Sequence, residues 1–101
     1  MKTLLAITFL SLATPVFAAN QYDPPINTSG ELLEWCQQES QATFLGKGIT
    51  PYNWTASHWD EADTLFVKGS WRIDTKEVTV KCSVGRGARR SYAVMSILDP
   101  K

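Results

Sequence analysis

The chain has 101 residues, 44% of them apolar, and its ten basic side chains balance ten acidic ones, for a formal net charge of zero. That balance argues against a general nucleic-acid binder and against a protein held on membranes by charge, both of which need a strongly basic surface. Two cysteines in a chain this short point instead to a disulfide-stapled domain of an oxidising compartment.

The first residues read as an export signal. Lys2 supplies a positive start, residues 4–13 form an apolar run, and Val16-Phe17-Ala18 is a small-x-small cleavage site, with cleavage expected after Ala18. The run is far shorter than the roughly 20 residues a membrane-spanning helix needs, and no cysteine follows the cleavage site to carry a lipid anchor. A soluble protein without a membrane anchor, secreted or periplasmic, is expected.

Removing 18 of 101 residues leaves 83, one domain whose core is marginal for its size. Two cysteines allow one intramolecular pairing, Cys36 to Cys82. It closes a loop for which chain entropy predicts roughly 4 kcal/mol of stabilisation. The spacing is not C-x-x-C, so the bridge reads as structural rather than redox-active. The expected organisation is a signal peptide over 1–18, an extended arm over 19–28 and a single small α+β domain over 29–101.

In the arm, Pro24-Pro25 denies a helix and favours an extended, partly mobile lead-in. Thr28-Ser29-Gly30-Glu31 is a capping box, predicting a helix over 29–45 that Gly46-Lys47-Gly48 stops. Leu33, Cys36, Ser40 and Phe44 fall near one stripe of it, with Leu32 and Trp35 flanking. Residues 52–59, 64–73, 78–84 and 91–98 are rich in β-branched and aromatic side chains and are separated by polar turns, which predicts an antiparallel meander of four strands.

Closing each turn on its flanking residues pairs Trp59 with Thr64, Ile73 with Val78 and Val84 with Ser91. Alternation then sorts the strands into two faces. One collects Tyr52, Trp54, Ala56, Leu65, Val67, Gly69, Trp71, Ile73, Val78, Val80, Cys82, Val84, Ala93, Met95 and Ile97, a core for the helix to cover. In that register Trp54 and Cys82 flank Gly69, whose missing side chain leaves them room. The other face collects hydroxyl, basic and aromatic residues and is expected to stay wet. The expected fold is thus an N-terminal helix on one face of a four-stranded antiparallel meander, with a single disulfide.

No catalytic constellation stands out, and no cofactor or metal is expected. His58, the one histidine, lies beside Asp60, Glu61 and Asp63. A small hydrolase or metal-dependent enzyme centred on His58, Asp60 and Asp63 is the alternative reading, but neither a G-x-S-x-G elbow nor an EF-hand loop is present. Acids crowding a turn more simply serve turn hydrogen bonding. Arg86, Arg89 and Arg90 on a glycine-containing loop could grip an anion, or be a solvated basic turn.

Trp59, Phe66 and Tyr92 remain as exposed aromatics once Trp35, Trp54 and Trp71 are given to the core. Aromatic and arginine side chains are favoured at interfaces. A non-catalytic binding or inhibitor-like module is therefore expected, using Trp59, Phe66, Lys68, Arg72, Lys81 and Tyr92 with the arginine loop. Its partner would be another envelope or extracellular protein or an anionic ligand, and the protein itself a monomer. An envelope structural or stress protein with no specific site is the third reading. Acids dominate residues 23–63 and bases residues 64–101, so a charge dipole results if folding keeps the halves apart.

Overall fold

A computed structural model describes residues 23–98; the expected signal peptide and its cleavage site lie outside the described residues. Helix α1 (Ser29–Gly46) packs on one face of a sheet in the order β1-β2-β3-β4, formed by β1 (Tyr52–Glu61), β2 (Thr64–Ile73), β3 (Lys76–Gly85) and β4 (Val94–Leu98). All pairings are antiparallel. The α+β meander stapled by one disulfide is the expected architecture.

α1 begins where its capping box sets it. The Glu31 amide donates to Thr28 Oγ1 at 3.1 Å, and Glu31 Oε1 accepts from the amides of Thr28 and Asn27 at 3.3 and 2.7 Å. These bonds satisfy donors that the first helical turn leaves free. At the other end Gly48, at φ 77°, lets the chain reverse before the buried Pro51. The buried stripe is Leu32, Cys36, Ser40 and Phe44, with Leu33 and Trp35 only partly covered. Leu32 replaces Leu33 because a strict i+4 ridge, rather than the mean helical stripe, lies on the sheet.

The one polar member of that ridge is fully partnered. Ser40 Oγ donates to the Cys36 carbonyl at 2.6 Å and accepts the Trp71 indole N–H at 2.8 Å. A buried hydroxyl costs stability only when left unpaired, so this link ties helix to sheet in one register. Cys36 and Cys82 are bonded with their Cα atoms 6.1 Å apart, within the range an unstrained bridge spans.

The registers differ from expectation by two residues in every hairpin. Trp59 pairs with Phe66 rather than Thr64, Ile73 with Lys76 rather than Val78, and Ser83 with Val94 in place of Val84 with Ser91. The first two hairpins close through two-residue turns, with Ala62 at φ 53° and Asp74 at φ 56°, so turn residues became strand residues. A shift of two preserves alternation, and the face assignments therefore survive. Leu65, Val67, Trp71, Ile73, Val78, Val80, Cys82 and Val84 are buried, with Met95 and Ile97 beside them.

Three placements change. Cys82 stands opposite Val67, and Gly69 opposite Val80, so the disulfide does not flank Gly69. The Trp54 ring does: a Cβ on Gly69 would lie 2.7 Å from Trp54 Cζ2, and Trp54 packs against Trp71 with centroids 4.9 Å apart. The cost is borne at Trp54 Nε1, buried with no hydrogen-bond partner among the described residues. An irregularity between Tyr52 and Thr55, with Asn53 at φ 56°, pairs Tyr52 with Arg72 and turns it out of the core face.

The described part of the arm is integrated rather than a loose lead-in. Ile26 is 0% exposed, its amide donates to the Ala88 carbonyl at 2.9 Å, and its carbonyl accepts the Gly87 amide at 2.7 Å. Pro25 bridges Arg89 in antiparallel fashion, placing a short extended segment on the β3–β4 connection.

Candidate functional site

The face of the sheet away from α1 is built from rows of residues lying directly opposite one another. Trp59, Phe66, Ser83 and Val94 form one row across all four strands. Trp59 and Phe66 stack with centroids 5.6 Å apart and planes 16° from parallel. Ser83 is the small member of the row, so the Phe66 ring and Val94 stand on either side of a depression floored by Ser83. The resulting slot, about 350 Å³, is lined by Trp59, Phe66, Lys68, Lys81, Ser83, Val94 and Ser96. Trp59 is 40% and Val94 59% exposed, a large apolar area left to solvent.

The next row is Ser57, Lys68, Lys81 and Ser96. Two lysines directly opposite each other repel, and such cross-strand pairs are destabilising unless a counter-charge lies between them. Among the described residues neither ammonium forms an ion pair. The row beyond is Thr55, Ser70, Thr79 and Leu98. Thr55 Oγ1 and Ser70 Oγ lie 3.1 Å apart, and Ser70 Oγ donates to Glu77 Oε2 at 3.0 Å. A second, shallower groove follows these hydroxyls and shares Lys68 with the slot. On the opposite side of the molecule α1 exposes Glu31, Glu34 and Glu39, and its last turn carries no base. The fold does not keep the acidic and basic halves of the chain apart, since Asp60 pairs with Arg86 and Asp23 with Ser91. The expected dipole between them does not form; the acids of α1 nonetheless lie across the sheet from the lysine pair.

Four expected site residues, Trp59, Phe66, Lys68 and Lys81, thus meet at one place. Arg72 shares their face but lies beyond the hydroxyl row, opposite Tyr52 and Glu77, where its guanidinium donates to the Thr75 carbonyl at 3.3 Å. Tyr92 is 71% exposed but belongs to a 3-10 turn (Arg90–Tyr92), not to a strand row. Ser83, Val94 and Ser96 are the outer-face lining residues not singled out from sequence, although alternation already put them on this face.

Of the three arginines, Arg86 alone forms an ion pair among the described residues. Arg86 pairs with Asp60 at 2.7 Å, Arg89 is bridged to Pro25, and Arg90 opens the 3-10 turn beside Asp23. Their loop is occupied by holding the hairpin end and the arm in place. Asp23 accepts the Ser91 hydroxyl at 2.6 Å and the Ser91 amide at 3.2 Å. Those bonds, the hydroxyl first, together with the charge of Arg89, hold its carboxyl below the usual carboxylate range.

The His58 cluster is likewise divided. His58 Nδ1 is hydrogen-bonded to Ser29 Oγ at 2.7 Å, Asp60 is held by Arg86, and the Asp63 carbonyl accepts the Arg86 amide. No group of three or more potential metal ligands forms among the described residues. No helix there is long and apolar enough to cross a membrane.

Comparison with protein-family models, with curated proteins and with solved structures found no match to this chain.

Proposed function

We propose that the chain is an exported, non-catalytic binding module that recognises an anionic partner through the outer face of its sheet. The observation that carries this reading is the Lys68–Lys81 couple, without an ion-pair partner among the described residues, set directly beside an exposed aromatic slot. An interface site typically combines desolvated aromatic anchors with a few placed charges. The disulfide and the core lie on the other side of the sheet, so neither explains the aromatic and lysine composition of this surface. Export is supported by the leader-like start of the chain and by the bridge, which persists in oxidising compartments.

The test is affinity capture from an envelope and medium extract of the producing organism, comparing the native protein with two variants. Lys68→Glu/Lys81→Glu is expected to lose the captured partner. Arg86→Ala/Arg89→Ala/Arg90→Ala, with native folding verified by near-UV circular dichroism, is expected to keep it. Partner profiles unchanged by the lysine reversal would remove the outer face from consideration.

A further inference from the structure

The geometry of the outer face goes further and specifies what its partner presents. We infer that the occupant is an acidic segment of another protein, in extended conformation, with an apolar side chain two residues from a carboxylate. The inference rests on the outer face being the binding surface.

The rows supply the spacing. The slot is centred on the row of Phe66, Ser83 and Val94, and the ammonium groups rise from the row of Lys68 and Lys81, one alternation further along the strands. Residues i and i+2 of a strand are roughly 6.5 to 7 Å apart on one face. An extended segment running along β2 and β3 has the same period. Its apolar side chain enters the slot while the side chain two positions on reaches the lysine pair. A carboxylate there accepts hydrogen bonds from both ammonium groups and removes their mutual repulsion. The Thr55, Ser57, Ser70 and Thr79 hydroxyls then lie beside the continuing segment, which must carry no further acid there because the Glu77 carboxylate lines the same groove.

Charge complementarity selects this occupant over the others. A second copy stacked face to face would bring the same lysine pair and Arg72, answered among the described outer-face residues by Glu61 and Glu77 alone, and so offers no acidic surplus. A small amphipathic anion would be poorly enclosed, because the slot is open along the sheet and continues into the hydroxyl groove. A lipid surface is disfavoured by that hydroxyl band and by Glu61 and Glu77, which share the face.

Two end-blocked peptides of equal composition discriminate, Ser-Thr-Leu-Thr-Glu-Thr-Ser and Ser-Thr-Leu-Glu-Thr-Thr-Ser. In the second, leucine and glutamate project to opposite sides of an extended chain. Titrated into the isotopically labelled, disulfide-bonded protein, the first is expected to shift the amides of Phe66, Lys68, Lys81, Ser83 and Val94. It should bind at least tenfold more tightly than the second, and Lys68→Ala/Lys81→Ala should remove that advantage. Equal binding of the two peptides, or no shift on the outer face, overturns the inference. So does outer-face binding to vesicles of anionic phospholipid in preference to the peptide, or concentration-dependent shifts at these residues without peptide, which would mark a second copy. If envelope capture depends on the lysines while the peptides do not differ, this inference alone fails; if capture is independent of them, the binding reading fails with it.

Discussion

The two faces of one sheet, separated only by the alternation of its strands, have been put to different uses. The inner face of β2 and β3 is dry and committed: Val80 and Leu65 are buried, Cys82 is bonded to the helix, and Ser40 meets Trp71 with its hydrogen bonds satisfied. The outer face leaves Trp59 and Val94 in water and sets Lys68 against Lys81. Setting Lys68 directly across from Lys81 contributes nothing to folding, which fits the proposal that this face serves a partner. The comparison teaches where to look: the contacts that hold the fold together lie on the helix side and the proposed recognition surface on the other, so substitutions on the two sides should differ in what they change most.

The strongest way to break this division is to cut the staple. Reduction of Cys36–Cys82, or Cys36→Ser/Cys82→Ser, is expected to cost about 4 kcal/mol. It should free α1 from the sheet, read as a lower melting temperature and faster amide exchange in α1. A reduced protein that melts with the oxidised one would contradict it. Next comes Gly69→Ala, whose new methyl meets the Trp54 ring. Overpacking of this kind costs about 1–3 kcal/mol, and denaturant unfolding measures it. An unchanged midpoint would show that Trp54 does not need the space.

Lys81→Glu sharpens the comparison because stability and binding should move in opposite directions. Replacing the like-charge pair by an opposite one should raise stability by about 0.5 kcal/mol, while the captured partner is lost. A destabilised variant would deny that the lysines are frustrated. The smallest effect is that of pH on the arm. Because Asp23 titrates lower folded than unfolded, its contribution is complete above the unfolded value of about 3.9 and disappears as the pH falls through the folded one. Protection of the Ile26 and Ser91 amides, corrected for the intrinsic exchange rate, should therefore fall below about pH 4 in the native protein and not in Asp23→Asn. Equal acid response of the two would remove Asp23 as the clasp.

Much of the candidate site was readable residue by residue. Trp59, Phe66, Lys68 and Lys81 fall on one face by alternation, and every two-residue error of register left them there. Tyr52 was misplaced because an irregularity at Asn53 breaks alternation, and the strand composition carries no mark of it. The arginine loop shows a different limit. Local sequence places three like charges close together but does not show the distant Asp60 that pairs with Arg86, nor the backbone bridge of Arg89 to Pro25. Ile26 was passed over because two prolines precede it, and only the fold shows that the β3–β4 connection offers their segment a backbone to pair with.

The sequence by itself determined which residues share a face, where the helix starts and which cysteines bond. Those depend on short periods, a four-residue cap and a single available pairing. Only the tertiary structure decided which residues stand opposite each other, and with that the slot beside Ser83 and the lysine couple. Opposition between strands is settled by how each turn closes and by how the helix seats on the sheet, and both are global outcomes of packing.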